Sequence, residues 1–148
     1  MEFTELDREL TGLLDLEQGC VFALKPKKYD NRLEFIYPDE LKGLTVPFIY
    51  QGIIWDKVVM NKSPLILNDF QEEIDIIYLN SLTMEGTEYS IAKMIAYPIC
   101  LARQICTVIL VVRKNQAGTN FQNFIGEDLQ KIKSAVDKMT YLRLVNSA

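Results

Sequence analysis

A chain of 148 residues with 49% hydrophobic and 24% charged side chains has the size and make-up of one ordinary globular domain, which excludes wholesale disorder and allows a sizeable core. Its formal net charge of −4 gives no support to a nucleic-acid footprint, and Lys25, Lys27 and Lys28 form only a short local patch. The sequence has no histidine, which removes the usual general base, Ser-His and Cys-His nucleophile pairs, histidine-ligated haem and mixed Cys/His zinc sites.

The first predicted element is a helix over about 4–17. Phe3, Leu6, Leu10, Leu13 and Leu14 recur at three- and four-residue spacing, with Glu5, Asp7, Arg8 and Glu9 on the other side. Thr4 fits an N-cap, Asp7 completes an approximate capping box, and Gly19 marks the end. The start is acidic and amphipathic, unlike a signal peptide. Cys20–Lys25 reads as a strand, and residues 26–31 as a turn. Arg32–Tyr37 alternates, with Leu33, Phe35 and Tyr37 facing inward and Arg32 and Glu34 outward.

A break over 38–43 leads to a short strand at Thr45–Ile49. Gly52 precedes a stretch at helical spacing, Ile53–Met60, with Ile54 over Val58 and Trp55 over Val59, stopped by Pro64. Leu65–Leu67 is a short apolar strand. Asn68 or Asp69 then caps a helix over about 71–84.

The longest apolar region follows, Met94–Val112, broken only by Ala102-Arg103-Gln104. It predicts two long strands joined by a tight turn. Along Ile105–Val112 both faces are apolar, so this strand needs cover on both sides and belongs at the centre of a sheet. Arg103 and Lys93 are expected as exposed turn and strand-edge charges. The last helix runs over about 126–145, with Leu129, Ile132, Val136, Met139 and Leu142 on its apolar face. No run reaches about 18 uninterrupted apolar residues, so no membrane span is expected. A cytoplasmic protein, or a domain cut from one, is expected. Cys20, Cys100 and Cys106 lack zinc spacing and fall in predicted strands, which points to reduced, buried thiols. The order of elements is that of one α+β domain, an antiparallel sheet flanked by helices.

Several phrases in that order resemble a GAF domain, the small-molecule sensing module related to PAS domains. Gly52, Val58-Val59 and Ser63-Pro64-Leu65-Ile66-Leu67-Asn68-Asp69 are similar to the family's glycine, helix and "P-L-x-I-x-D" run. Met94-Ile95-Ala96-Tyr97-Pro98-Ile99 is similar to its "hydrophobic-x-x-Pro-Leu" strand. Ile105–Val112 resembles the partner strand, with Thr107 where glycine is usual. Lys114, Phe124 and Asp128 match part of the "N-K…F-x-x-x-D-E" pattern of cyclic-nucleotide-binding members. Arg113 replaces its asparagine and Leu129 its glutamate, so the pattern is poor evidence for cyclic nucleotides. A structural reading has Lys114 and Asp128 pairing to tie the hairpin to the last helix.

The resemblance spans about Leu6 to Met139, so residues 1–148 are read as a single domain. It implies a six-stranded antiparallel sheet of GAF-like, profilin/PAS-like architecture. It implies that the segment from about 45 to 90 folds over one face, enclosing a pocket. The first and last helices would pack on the other face, where such domains often form homodimers. The residues suited to line the pocket are Phe48, Tyr50, Trp55, Asn68, Asp69 and Tyr78, with Phe35, Met94 and Ala96 as its floor. The alternative is that these side chains fill the space themselves.

The expected role is a non-catalytic sensory or regulatory domain that binds a small-molecule effector and signals through dimerising helices. Neither the ligand nor any cofactor is identified by the sequence, and no metal, nucleic-acid or membrane partner is expected. A ligand-free dimerisation or protein-interaction scaffold is the alternative. A free methionine-R-sulfoxide reductase is more remote: that GAF-like enzyme uses cysteines in the loop before the hairpin, and residues 68–91 have none. Bilin attachment fails on the same ground.

Overall fold

The apolar stretch does form the hairpin at the heart of the molecule. In the computed structural model, which describes residues 2–27, 32–44, 54–68, 90–101, 104–115 and 122–147, strands β4 (Ser90–Leu101) and β5 (Gln104–Asn115) pair antiparallel, with Tyr97 opposite Ile109 and Met94 opposite Val112. Three more strands join them: β1 (Val21–Lys27), β2 (Arg32–Tyr37) and β3 (Leu65–Leu67). The sheet is antiparallel in the order β2-β1-β5-β4-β3. β5 is therefore central, and Val108–Val112 have no exposed surface, as a strand apolar on both faces requires.

Five strands are present among the described residues where six are expected. The sixth, at Thr45–Ile49, lies outside them, as does the helix expected over 71–84. The approach to the first of these is visible. Phe35 donates its N–H to the Leu44 carbonyl and accepts from the Gly43 N–H, so the chain is already paired to β2 when it reaches residue 44.

The register assigns two faces. Phe22, Leu24, Phe35, Met94, Ala96 and Leu110 share the front face, where the short helix Trp55–Met60 packs with Val58 fully buried. Val21, Ala23, Ile95, Ile109 and Val111 share the back face. That face is covered by α1 (Glu2–Leu13) and α2 (Gly126–Ser147). Leu6 and Leu10 from the first, Leu14 just past it, and Ile132, Ala135 and Val136 from the second, complete one continuous core. The helices run in opposite directions: Glu9 meets Lys138 at 3.6 Å, while the far end of α1 lies near the start of α2. No helix among the described residues is long and apolar enough to cross a membrane.

Three local expectations are corrected. The first helix ends at Leu13, earlier than Glu17. Asp15 takes a left-handed conformation (φ 53°), and Leu16 N–H reaches back to the Thr11 carbonyl at 3.0 Å. This is the closing arrangement in which glycine is usual, so Gly19 (φ 76°) serves the next turn instead. Thr4 sits inside the first helical turn rather than at its cap, because helix already covers Glu2.

Tyr37 does not share a face with Leu33 and Phe35. The pairing steps from Leu24–Phe35 to Ala23–Tyr37, two β2 residues against one on β1. This bulge turns Tyr37 to the back face. There its ring lies 6.1 Å from that of Phe3, and its hydroxyl donates to Asp7.

Candidate functional site

Of the nine residues expected around a pocket, the sheet brings three together. Phe35, Met94 and Ala96 lie on the front face, each with no exposed surface. Phe35 packs edge-on against Phe22, ring centroids 6.2 Å apart. Trp55 is half-buried against the core. Phe48, Tyr50, Asp69 and Tyr78 lie outside the described residues.

Asn68 is placed differently. It follows Leu67, which pairs with Met94 on the front face, so its own parity is toward the back. There its carboxamide makes two hydrogen bonds with a single residue of the loop before α2. Its Nδ2 donates to the Phe124 carbonyl at 2.8 Å, and its Oδ1 accepts from the Phe124 N–H at 2.7 Å.

Asn68 belongs to a partly buried polar cluster that sequence reasoning missed. Lys93, expected as an exposed strand-edge charge, is only 7% exposed. Its ammonium donates to the Asn68 carbonyl at 3.1 Å and to Asn123 Oδ1 at 2.8 Å. Its position inside an apolar run, Ile91–Ala96, was the available signal. Directly across the ladder stands Arg113, 5% exposed. Its guanidinium lies 4.6 Å from the centroid of the Phe124 ring and donates to the carbonyls of Leu14 (3.0 Å) and Asp15 (3.1 Å).

Those are carbonyls just past the end of α1, where the helix dipole leaves partial negative charge. Burial pulls the Arg113 guanidinium below its ordinary value, opposed by Asp128 and Asp15. Its Nε is buried without a hydrogen-bond partner. Asp128 closes the loop by accepting from the Ile125 N–H at 2.8 Å. The expected Lys114–Asp128 pair cannot be followed, because the Lys114 side chain lies outside the described residues.

Two open clefts flank the helices. One, of about 610 Å³, lies beside this cluster, among Leu13, Asp15, Arg113, Asn123, Glu127 and Lys131. The other, of about 390 Å³, lies where β4 meets α2, beside Tyr97, Cys100, Lys133 and Asp137. Burial, with Asp137 nearby, raises the Tyr97 phenol above its ordinary value, and Lys133 opposes the shift. Cys100 is exposed, correcting the expectation that it is buried, whereas Cys20 is buried. It sits near the hairpin turn, where a bulge separates the Ile99–Thr107 pair from Cys100–Ile105. Among the described residues no group of three or more His, Cys, Asp or Glu side chains could hold a metal ion.

No family model matches the sequence, and no curated protein does. The fold, by contrast, has clear counterparts among solved structures. The GAF domain of a phosphoenolpyruvate-protein phosphotransferase from Acinetobacter superposes with a TM-score of 0.60 at 10% identity, over 90% of this chain and 75% of that one. A GAF domain/HD domain protein from Geobacter sulfurreducens gives 0.54 at 12% identity, over 95% and 89%. At such identities the likeness is one of fold, and the α+β architecture of this chain is GAF-like.

Proposed function

We propose that this GAF-like fold serves as a non-catalytic sensory or regulatory module, cytoplasmic and homodimeric. A small molecule binds between the front of the sheet and the 45–90 segment. The signal leaves through α1 and α2, to an output that belongs to another domain or protein. The observation that carries the reading is the division of the sheet. Both described long helices are gathered on the back, packed on each other, while the aromatic and apolar floor of Phe35, Met94 and Ala96 faces the other way. A concave site of mainly apolar character with a few polar groups is what small-molecule recognition needs. A ligand moves such a module only by binding one of its conformations better than another.

The full burial of Phe35, Met94 and Ala96 favours a second reading, a scaffold of the same fold whose front face is filled by its own side chains. Native mass spectrometry of the purified chain, from gentle to denaturing conditions, separates the two. A dimer carrying a non-covalent adduct supports the sensor, and the adduct mass gives the ligand class. A dimer with no adduct and no stabilising compound in a thermal-shift screen supports the scaffold. A bare monomer removes signalling through paired helices.

A further inference from the structure

The partly buried polar cluster joins parts of the chain that the sheet alone leaves independent. Asn68 is the residue at which the chain leaves β3 toward 69–89. Its carboxamide pairs with both backbone groups of Phe124, 56 positions away. Lys93 fastens the same junction from the sheet, holding the Asn68 carbonyl and Asn123 together. Phe124 has its buried ring against the Arg113 guanidinium, which grips the Leu14 and Asp15 carbonyls just past α1. Ile125, next in the chain, is held by Asp128 in the first turn of α2. Every link is a direct hydrogen bond or ring contact, and most are at least part-buried, where exchanging a partner for water is unfavourable.

We propose that Asn68 is a latch, coupling the end of β3 to the first turn of α2 and, through Phe124 and Arg113, to the end of α1. Its regulatory meaning rests on the sensor reading above: a change at the end of β3 that draws Asn68 away would free Phe124 and loosen both helices at one end. The coupling itself needs no ligand. Being a free energy shared by two places, it must act in both directions.

The test is amide hydrogen exchange on the whole chain, residue by residue, for Asn68→Ala and Asp128→Ala. In Asn68→Ala the amides of Phe124 and Asp128 are expected to exchange about tenfold faster or more, the factor for losing a pair of partly buried hydrogen bonds. The Leu16 amide, bonded to Thr11 at the end of α1, should follow. The Phe35 amide, on the opposite edge of the sheet, should not change. Acceleration confined to Phe124, or equal acceleration at Phe35, overturns the latch. If Asn68→Ala does not fold, Asp128→Ala decides from the other end. It should speed exchange in β3 with Phe35 unchanged, and an unaltered β3 overturns the proposal. A failed latch leaves the ligand question untouched, and a missing ligand leaves the latch standing.

Discussion

Lys93 and Arg113 place two buried cations opposite each other across one rung of the β4–β5 ladder. Like charges placed so repel. The arrangement holds because each is drawn to acceptors of its own, Lys93 to Asn68 and Asn123, Arg113 to the end of α1. Arg113→Met, which abandons the Leu14 and Asp15 carbonyls, is expected to cost about 2 kcal/mol in a urea titration. Arg113→Lys should recover only part of it, because an ammonium lacks the planar fork. Tyr37 makes a pH-dependent contribution. Burial, helped by the hydrogen bond to Asp7, pushes its phenol up to about 12, whereas in the unfolded chain it ionises near pH 10. Between those values the unfolded state has lost the proton and the folded state keeps it. Stability from Tyr37 is therefore complete below about pH 10 and is lost as the pH climbs toward 12. The stability gap between wild type and Tyr37→Phe, followed by denaturant melts at stepped pH, should narrow across that window. A constant gap would refute the assignment.

Along the elements, stability should follow burial rather than charge. Leu10, with no exposed surface on α1, should cost about 3 kcal/mol as Leu10→Ala. Breaking the exposed Glu9–Lys138 pair with Glu9→Gln should cost less than about 1 kcal/mol. Exposure also separates the thiols. A thiol reagent should label Cys100 in a fast phase that Cys100→Ser removes and Cys20→Ser leaves alone. These contrasts mark what the sequence makes legible. Periodicity locates both terminal helices and the central hairpin, because each is written in neighbouring residues, whereas the shared face of Phe35, Met94 and Ala96 follows the resemblance and depends on strand register. Bulges are not written that way, and one extra residue on β2 sends Tyr37 to the wrong side of an otherwise clean alternation. The polar cluster is hidden for a different reason. Lys93 finds its partners 25 and 30 positions away, and nothing in an isolated lysine announces which distant amide will receive it.

For the molecule as a whole, the sheet is a partition with α1 and α2 behind and the Trp55–Met60 helix in front, and the proposed sensor depends on that partition being crossed. Asn68 follows β3, the edge strand, at the rim of the sheet. The strand order has a separate consequence, for biosynthesis. Val21 on β1 pairs with Val111 on β5, 90 positions later, and α1 packs against α2, later still. Closing a loop of that length is slow compared with forming a helix or hairpin. As the chain emerges from a ribosome, the Leu6–Leu10–Leu14 stripe is made well before the α2 residues that complete its cover. At about 5–20 residues per second it spends several seconds exposed on the nascent chain, and any chaperone attending this protein would meet it there.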